Sequence, residues 1–525
     1  MVSVDRQRSG MRGVVRDVIL AGLIGLSLTA PQTSAAAACQ STCARELADC
    51  KRTCPERGGV RRDCRESCAA RTTCAAPGAR FRTLAYVVNE CTTSPDGRST
   101  LKQRLFIRRG NCDPVMVMEA ATPSPVPDPH AWCAGLGNIR DGLSFMFVAL
   151  FRRMAVLPDG SAVVFEVTRQ FSSYPPLTPQ APRGEGIVVA RTDGTDLRRL
   201  GDASHVPSFL PSPQYPVAYS HVIPMQGIFP VSPDGRWIAL SDLGPDSAGE
   251  EAPQIFLLNL QSGQRKQLTY QSRQPTIVPQ DPVIFFMSFD NAKSILFYDG
   301  YPFLGTLRGH RVHTDGRGVI EDITTPTVDP EGRVVADFQV TGVRPQVILL
   351  TFPGPATNGP HIDELFLIDG DNLVQLTNFG RFDTGFGYAS IARGRVFFTA
   401  SANPTGENLD GICQLFSIDK IGSDVRQITR FRSDAGIGCD KLVGSACVVD
   451  IPLTIPIRPD EITGALLFAS SCDPFGGNPV GDQLFAMRQD GTGLRQVTAA
   501  RGRETLLDGT LRVESVGPFA YPLGR

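Results

Sequence analysis

Residues Ser232–Asp242, "SPDGRWIALSD", and Gln254–Thr269, "QIFLLNLQSGQRKQLT", decide how the rest of the chain reads. In the first, Pro-Asp-Gly makes a turn and an apolar strand follows. In the second, an apolar strand runs into a glycine turn, then a second strand ending in Leu-Thr. Glycine at such turns supplies the positive φ that tight hairpins need. Together the two stretches describe four strands in two hairpins.

The pattern recurs along the chain. "LPDGSAVVFEV" (Leu157–Val167) and "DPEGRVVADFQ" (Asp329–Gln339) repeat the first element, and "FDNAKSILFYD" (Phe289–Asp299) is a degenerate copy. "GIVVARTDGTDLRRL" (Gly186–Leu200), "ELFLIDGDNLVQLT" (Glu364–Thr377), "QLFSIDKIGSDVRQIT" (Gln414–Thr429) and "QLFAMRQDGTGLRQVT" (Gln483–Thr498) repeat the second. Units of four strands recurring every few tens of residues predict a β-propeller. No apolar period of 3.6 residues lies between the strands, which argues against a helical solenoid.

Units centre on residues 85–118, 145–200, 229–269, 283–324, 328–377, 386–429 and 450–498. The reading is therefore all-β, with a seven-bladed propeller expected and six blades as the alternative. The first unit lacks an innermost strand. "TLRVESVGPFAYP" (Thr510–Pro522) is the strand expected to fill that place, closing the ring with both chain ends and removing an open sheet edge.

These repeats also carry a resemblance. "SPDGRWIALSD", "QIFLLNLQSGQRKQLT" and "QLFAMRQDGTGLRQVT" resemble the propeller repeats of TolB-like proteins, from about Ala85 to the C-terminus. The resemblance implies the fold. It implies no Tol–Pal role, because a cysteine-rich segment stands where TolB carries an α/β domain. Some TolB-like propellers are polysaccharide lyases that use a metal or His and Arg near the central channel, so the resemblance also admits a glycan enzyme.

Composition sets the class. The 525 residues are 42% hydrophobic and 20% charged, with net charge −1, which gives no electrostatic case for nucleic acid. The 52 Gly and 41 Pro exceed ordinary usage and fit many turns.

The first 38 residues read as an export signal: Arg6, Arg8, Arg12 and Arg16, then the apolar "VILAGLIGL" (Val18–Leu26), then small residues before Cys39. No later segment is apolar enough to suggest a membrane span. The small residues ending in Cys resemble a bacterial lipoprotein signal, which implies a lipid anchor at Cys39 as the alternative to a free chain. Either way the chain is expected in the periplasm, secreted or at the cell surface.

Fourteen cysteines in an exported chain predict disulfides. Residues 39–79 read as a polar helical hairpin broken at "PERGG" (Pro55–Gly59). Cys54 and Cys64 lie symmetrically about Gly59, as do Cys50 and Cys68, and Cys43 and Cys74 are one residue off that symmetry. Residues equidistant from an antiparallel turn face each other, so three cross-links are expected; a tetra-Cys zinc site at Cys50, Cys54, Cys64 and Cys68 is the alternative. Cys91 with Cys112, Cys439 with Cys447 and Cys413 with Cys472 complete the expected pairs. Cys39 and Cys133 are left without an assignment. Residues 80–525 form the propeller.

No catalytic, metal or cofactor residue is assigned. Gly-x-Ser-x-Gly, His-Glu-x-x-His, Cys-x-x-Cys-His and EF-hand patterns are absent. His310 and His313 fall on opposite faces of a strand and read as exposed hairpin histidines. "DGDN" (Asp369–Asn372) reads as a turn, and Asp242, Asp246, Glu250 and Glu251 as a solvated rim. Trp237 reads as packing between blades.

Segments 169–185, 241–254, 401–413 and 470–482 all join second and third strands, so they should emerge at one end of the ring. Loops gathered on one face are a recognition surface. The expected function is a non-enzymatic binding or scaffold protein with an envelope or extracellular protein or glycan as partner; the alternative is a propeller enzyme such as a polysaccharide lyase or glycan hydrolase.

Overall fold

The structure is a computed structural model of the 525-residue chain. It describes residues 48–55, 64, 65 and 68 and most of 83–520; the longer stretches outside the description in that range are 128–150, 168–185, 203–228, 272–282, 324–336 and 433–457. The expected export signal and Cys39, Cys43, Cys74, Cys133, Cys439 and Cys447 lie outside the described residues.

From residue 83 the described chain is almost entirely strand and turn, arranged as a β-propeller. Its strands make seven antiparallel sheets. The first takes Thr83–Thr93, Arg98–Arg109 and Val115–Ala121 from the start of the ring, and Arg503–Thr505 and Leu511–Ala520 from its end. The second runs from Phe151–Val156 to Arg198–Gly201 and the third from Trp237–Pro245 to Arg265–Gln267. The fourth and fifth span Val283–Asn291 to Ile320–Ile323 and Asp337–Gly342 to Asn372–Gln375. The sixth spans Ser390–Ala392 to Arg426–Gln427, and the seventh Arg458–Pro459 to Arg495–Gln496.

The middle strands are apolar on both faces because each sheet is packed between two others. Val163, Val164 and Phe165 are consecutive and all fully buried. Phe151, Phe165 and Leu105 fill the seam between the first and second sheets, and Phe229, Ile238 and Leu258 that between the second and third. Leu257 and Phe297 join the third and fourth sheets, with Trp237 half-buried against them. Phe398 and Leu367 join the fifth and sixth, and Phe397 and Phe485 the sixth and seventh. Leu484 of the seventh then packs on Tyr86 and Val516 of the first, which brings the last sheet back to the beginning.

Closure is made by backbone pairing. Leu511–Ala520 runs antiparallel to Thr83–Thr93, with Leu511 opposite Thr93 and Ala520 opposite Ala85. Arg503–Thr505 adds one more strand on the far side of Leu511–Ala520, which the sequence reading did not expect.

The glycine turns have a second use besides positive φ. Gly263, in the turn before Arg265–Gln267, sits so close to the preceding sheet that a Cβ there would lie 2.6 Å from the Leu200 carbonyl oxygen. Gly422 stands likewise 2.7 Å from the Gln375 oxygen and Gly491 3.0 Å from the Ile428 oxygen. The same turn therefore seats one sheet against the next around the ring.

Candidate functional site

The ring end that carries the connections between second and third strands is the candidate recognition face. In the sixth sheet this connection, residues 401–413, is built around Asn408, which is 3% exposed. The Asn408 side-chain amide donates to the carbonyls of Ala402 at 2.9 Å and Ile412 at 2.8 Å, while its backbone N–H donates to Asn403 Oδ1 at 2.7 Å. Glu407 accepts from Arg430 at 2.8 Å. The next residue, Leu409, is left 84% exposed. A loop so tied holds an apolar side chain in water without loop freedom to hide it.

The turn at 506–510 lies at the same end, because Leu511 pairs with Thr93 beside the turn at 94–97 that joins second and third strands of the first sheet. Asp508 Oδ1 accepts from Thr510 N at 2.9 Å and fixes that turn. Leu507 at its tip is fully exposed.

Segment 241–254 departs from the expectation of a loop with solvated acids. It continues the ladder to Pro245 opposite Glu251. Asp242 is 1% exposed and pairs with Arg265, and Asp246 is buried, accepting from Ala248 N at 2.8 Å and Glu250 N at 2.9 Å. Asp242 is drawn in by a donor 23 residues away and Asp246 by the backbone of its own turn; of the four acids, Glu250 and Glu251 are exposed. Segments 169–185 and 470–482 lie outside the described residues or mostly so.

The histidines also need correction. His310 is buried, with Nδ1 at 2.8 Å from Asp322 Oδ1 and its ring 5.1 Å from that of Phe297. His313 is half-buried on the other face, 3.1 Å from Glu321 Oε1. Asp369 pairs with Asn372.

In the N-terminal segment, Cys50 is joined to Cys68 and Cys54 to Cys64, with Cα–Cα separations of 5.7 and 5.8 Å. Residues 48–52 and 64, 65 and 68 are helical. Cys54, Cys64 and Cys68 stand close enough to ligate one metal, but their sulfurs are engaged in these two disulfides. Cys91, Cys112, Cys413 and Cys472 are each disulfide-bonded.

The large pKa shifts lie in a seam and not at the recognition face. Burial between the seventh and first sheets pushes the Tyr86 hydroxyl up to about 12, opposed by nearby Arg108. Burial pushes Arg495 down to about 9, helped by the charge of Arg108, which donates to Val497 O across the seam at 2.9 Å. Elsewhere the shifted acids are mostly turn residues: Thr492, donating from hydroxyl and amide, holds the Asp490 carboxyl below its ordinary value.

A cleft of about 670 Å³ opens between the sixth and seventh sheets. Its lining includes Arg393, Arg395, Arg426, Arg430 and Arg488 against two acids, Glu407 and Asp490. Asp424 accepts from Arg395 at 2.8 Å and also from Arg426, which holds its carboxyl low. Arg393 adopts φ of 49° beside Gly394 in the turn between Ala392 and Arg395, a conformation that costs a side-chain-bearing residue about 1 kcal/mol.

No family model and no curated protein matches the chain. Solved structures do. The β-propeller domain of the Trilobed protease from Pyrococcus furiosus is 12% identical, covering 80% of this chain and 95% of that one, at a TM-score of 0.42. The acylaminoacyl peptidase of Pyrococcus horikoshii is 12% identical over 79% of this chain at 0.40, and this chain spans only 52% of its length. An oligogalacturonate lyase from Vibrio parahaemolyticus is 8% identical, covering 69% of this chain and 82% of that one, at 0.37. At these identities and TM-scores the likeness says nothing of activity. No described helix is long and apolar enough to cross a membrane.

Proposed function

We propose that the chain is an exported binding protein that recognises an envelope or extracellular protein or glycan with the loop-bearing end of its ring. The observation that carries this reading is Leu409, 84% exposed on a loop that Asn408 ties from inside. A fixed, solvated apolar side chain gains free energy when a partner covers it, and its loop loses little entropy in doing so. Export to the periplasm or beyond rests on the first 38 residues and the disulfides, with a lipid anchor at Cys39 as a variant of the same placement. Residues 39–79 serve as a separate spacer or docking hairpin. The TolB-like kinship of the repeats belongs to this proposal, as does the blade count. Seven blades, with six as the alternative, are part of the same proposal, and averaged particle images down the ring axis separate them.

The second reading is an enzyme acting on polysaccharide. The solved neighbours, peptidases and a lyase, fit this reading better than the first at the level of fold. Against it, the two large shifts among the described residues, at Tyr86 and Arg495, lie in the buried seam between the seventh and first sheets. A screen of the purified chain against cell-wall and plant-type glycans tests the choice. No turnover is expected; cleavage lost on mutating channel residues would establish the enzyme.

A further inference from the structure

We propose that Cys50, Cys54, Cys64 and Cys68 form a redox-gated zinc site, closed as two disulfides and open to a zinc ion when reduced. Cys50 and Cys54, like Cys64 and Cys68, are four residues apart, about 6 Å of rise on a helix. At that rise the two cross-links would stand as separate rungs. Instead their sulfurs abut. Cys54 Sγ lies 3.8 Å from Cys68 Sγ of the other disulfide, and the sulfurs of Cys54, Cys64 and Cys68 are all within 4.8 Å of one another. Cys50 is bonded to Cys68, so the fourth sulfur joins the same cluster.

This spacing is that of a metal site. Four thiolates about 2.3 Å from a tetrahedral zinc stand about 3.8 Å from each other. Cys54 and Cys68 already have that separation. On reduction only the bonded sulfurs need to part, which rotation about their Cα–Cβ bonds supplies. Cys68 is buried and the other three are half-buried, so the cluster has a covered side and a side open to an entering ion. Between Cys50 and Cys68 the sequence holds six Lys and Arg against three acids, a net positive charge that offsets the negative charge of a zinc tetrathiolate.

Disulfides and a metal site are alternatives at one redox state and successive states of one cluster across two. Opening takes one dithiol per disulfide. A thiolate of the dithiol attacks, the S–S bond breaks, the cysteine pair takes up two electrons and two protons, and the dithiol closes to its own disulfide. Zinc then binds the thiolates and their protons pass to solvent. An oxidant of the disulfide class reverses both steps and expels the ion. On the proposed export the chain passes from a reducing to an oxidising compartment, so both states arise.

The test uses the full chain, reduced with a phosphine, given zinc chloride, desalted and assayed for zinc by atomic absorption. The reduced chain should retain about one zinc ion that the oxidised chain lacks. In the unaltered chain, zinc should protect Cys50, Cys54, Cys64 and Cys68 from iodoacetamide, mapped by mass spectrometry, while the other cysteines alkylate as they do without zinc. Cys64→Ser/Cys68→Ser should lose the ion, and Cys91→Ser/Cys112→Ser should keep it. The mapping needs no variant, so it stands even if a variant folds poorly. No zinc on the reduced chain, equal zinc on the oxidised chain, protection confined to other cysteines, or zinc kept by Cys64→Ser/Cys68→Ser would overturn the inference.

Discussion

Thr429 and Gln414, fifteen residues apart, are locked together: Thr429 Oγ1 donates to Gln414 Oε1 at 2.8 Å and accepts from Leu415 N at 2.8 Å. The Gln414 amide also donates to Phe431 O at 2.7 Å. Thr269 with Gln254 and Thr498 with Gln483 repeat the arrangement, and Glu364 takes the glutamine's place beside Thr377. In these four sheets the lock ties the third strand to the end of the fourth and satisfies buried donors there.

Thr429→Val should therefore cost about 1–2 kcal/mol, while Thr429→Ser, which keeps the hydroxyl, should cost less. Urea denaturation of the two variants measures the difference. Thr498→Val should behave like Thr429→Val.

Gly263 and Gly97 separate two effects of glycine. Both have positive φ, +74° and +78°, but a Cβ at Gly97 meets nothing within 4 Å. Gly97→Ala should cost about 1 kcal/mol, for backbone strain alone. Gly263→Ala should cost clearly more, because its Cβ meets the Leu200 carbonyl. Thermal midpoints of the pair report the gap.

The repeats, the turn glycines and the closing strand were legible in the sequence because each is a local pattern: an apolar run, a Gly at a turn, a strand left over. The Leu/Ile/Val-Thr endings were visible too, but not their purpose, since the partner glutamine is fifteen residues away. Asp242 and His310 misread for the same reason. Asp242 and His310 are each buried by a donor or ring supplied across a strand pair, as Arg265 is for Asp242, while Asp246 is buried by the backbone N–H groups of its own turn. Arg503–Thr505 carries no apolar signal, so its strand becomes visible only through its pairing with Leu511–Val513.

Closure rests on Leu511–Ala520 and is reinforced by Arg104, which donates to Glu90 at 2.9 Å and to Glu514 at 3.1 Å. A chain ending at residue 502 should expose the long edge of Thr83–Thr93 and associate. Light scattering after size exclusion should show oligomers where the full chain gives one species. Arg104→Met, which leaves the strand in place, should cost only about 1 kcal/mol.

Tyr86 gives the fold an alkaline limit. Below its ordinary value of 10.0 the hydroxyl is protonated in both folded and unfolded chains. Between there and about 12 the unfolded chain ionises while burial keeps the folded one neutral, so stability falls as pH rises. Stability curves from pH 9 to 12 should drop less steeply in Tyr86→Phe, by about 2–3 kcal/mol at the upper end.

The recognition claim is tested most directly by partner capture with Leu409→Asp. Ile421→Asp serves as the control, since Ile421 is 74% exposed in a turn at the opposite end of the same sheet. Protein and glycan bound from envelope extract by the unaltered chain should be lost with Leu409→Asp and kept with Ile421→Asp. Capture that survives Leu409→Asp, or that fails equally in both variants, would contradict a recognition face at the loop-bearing end.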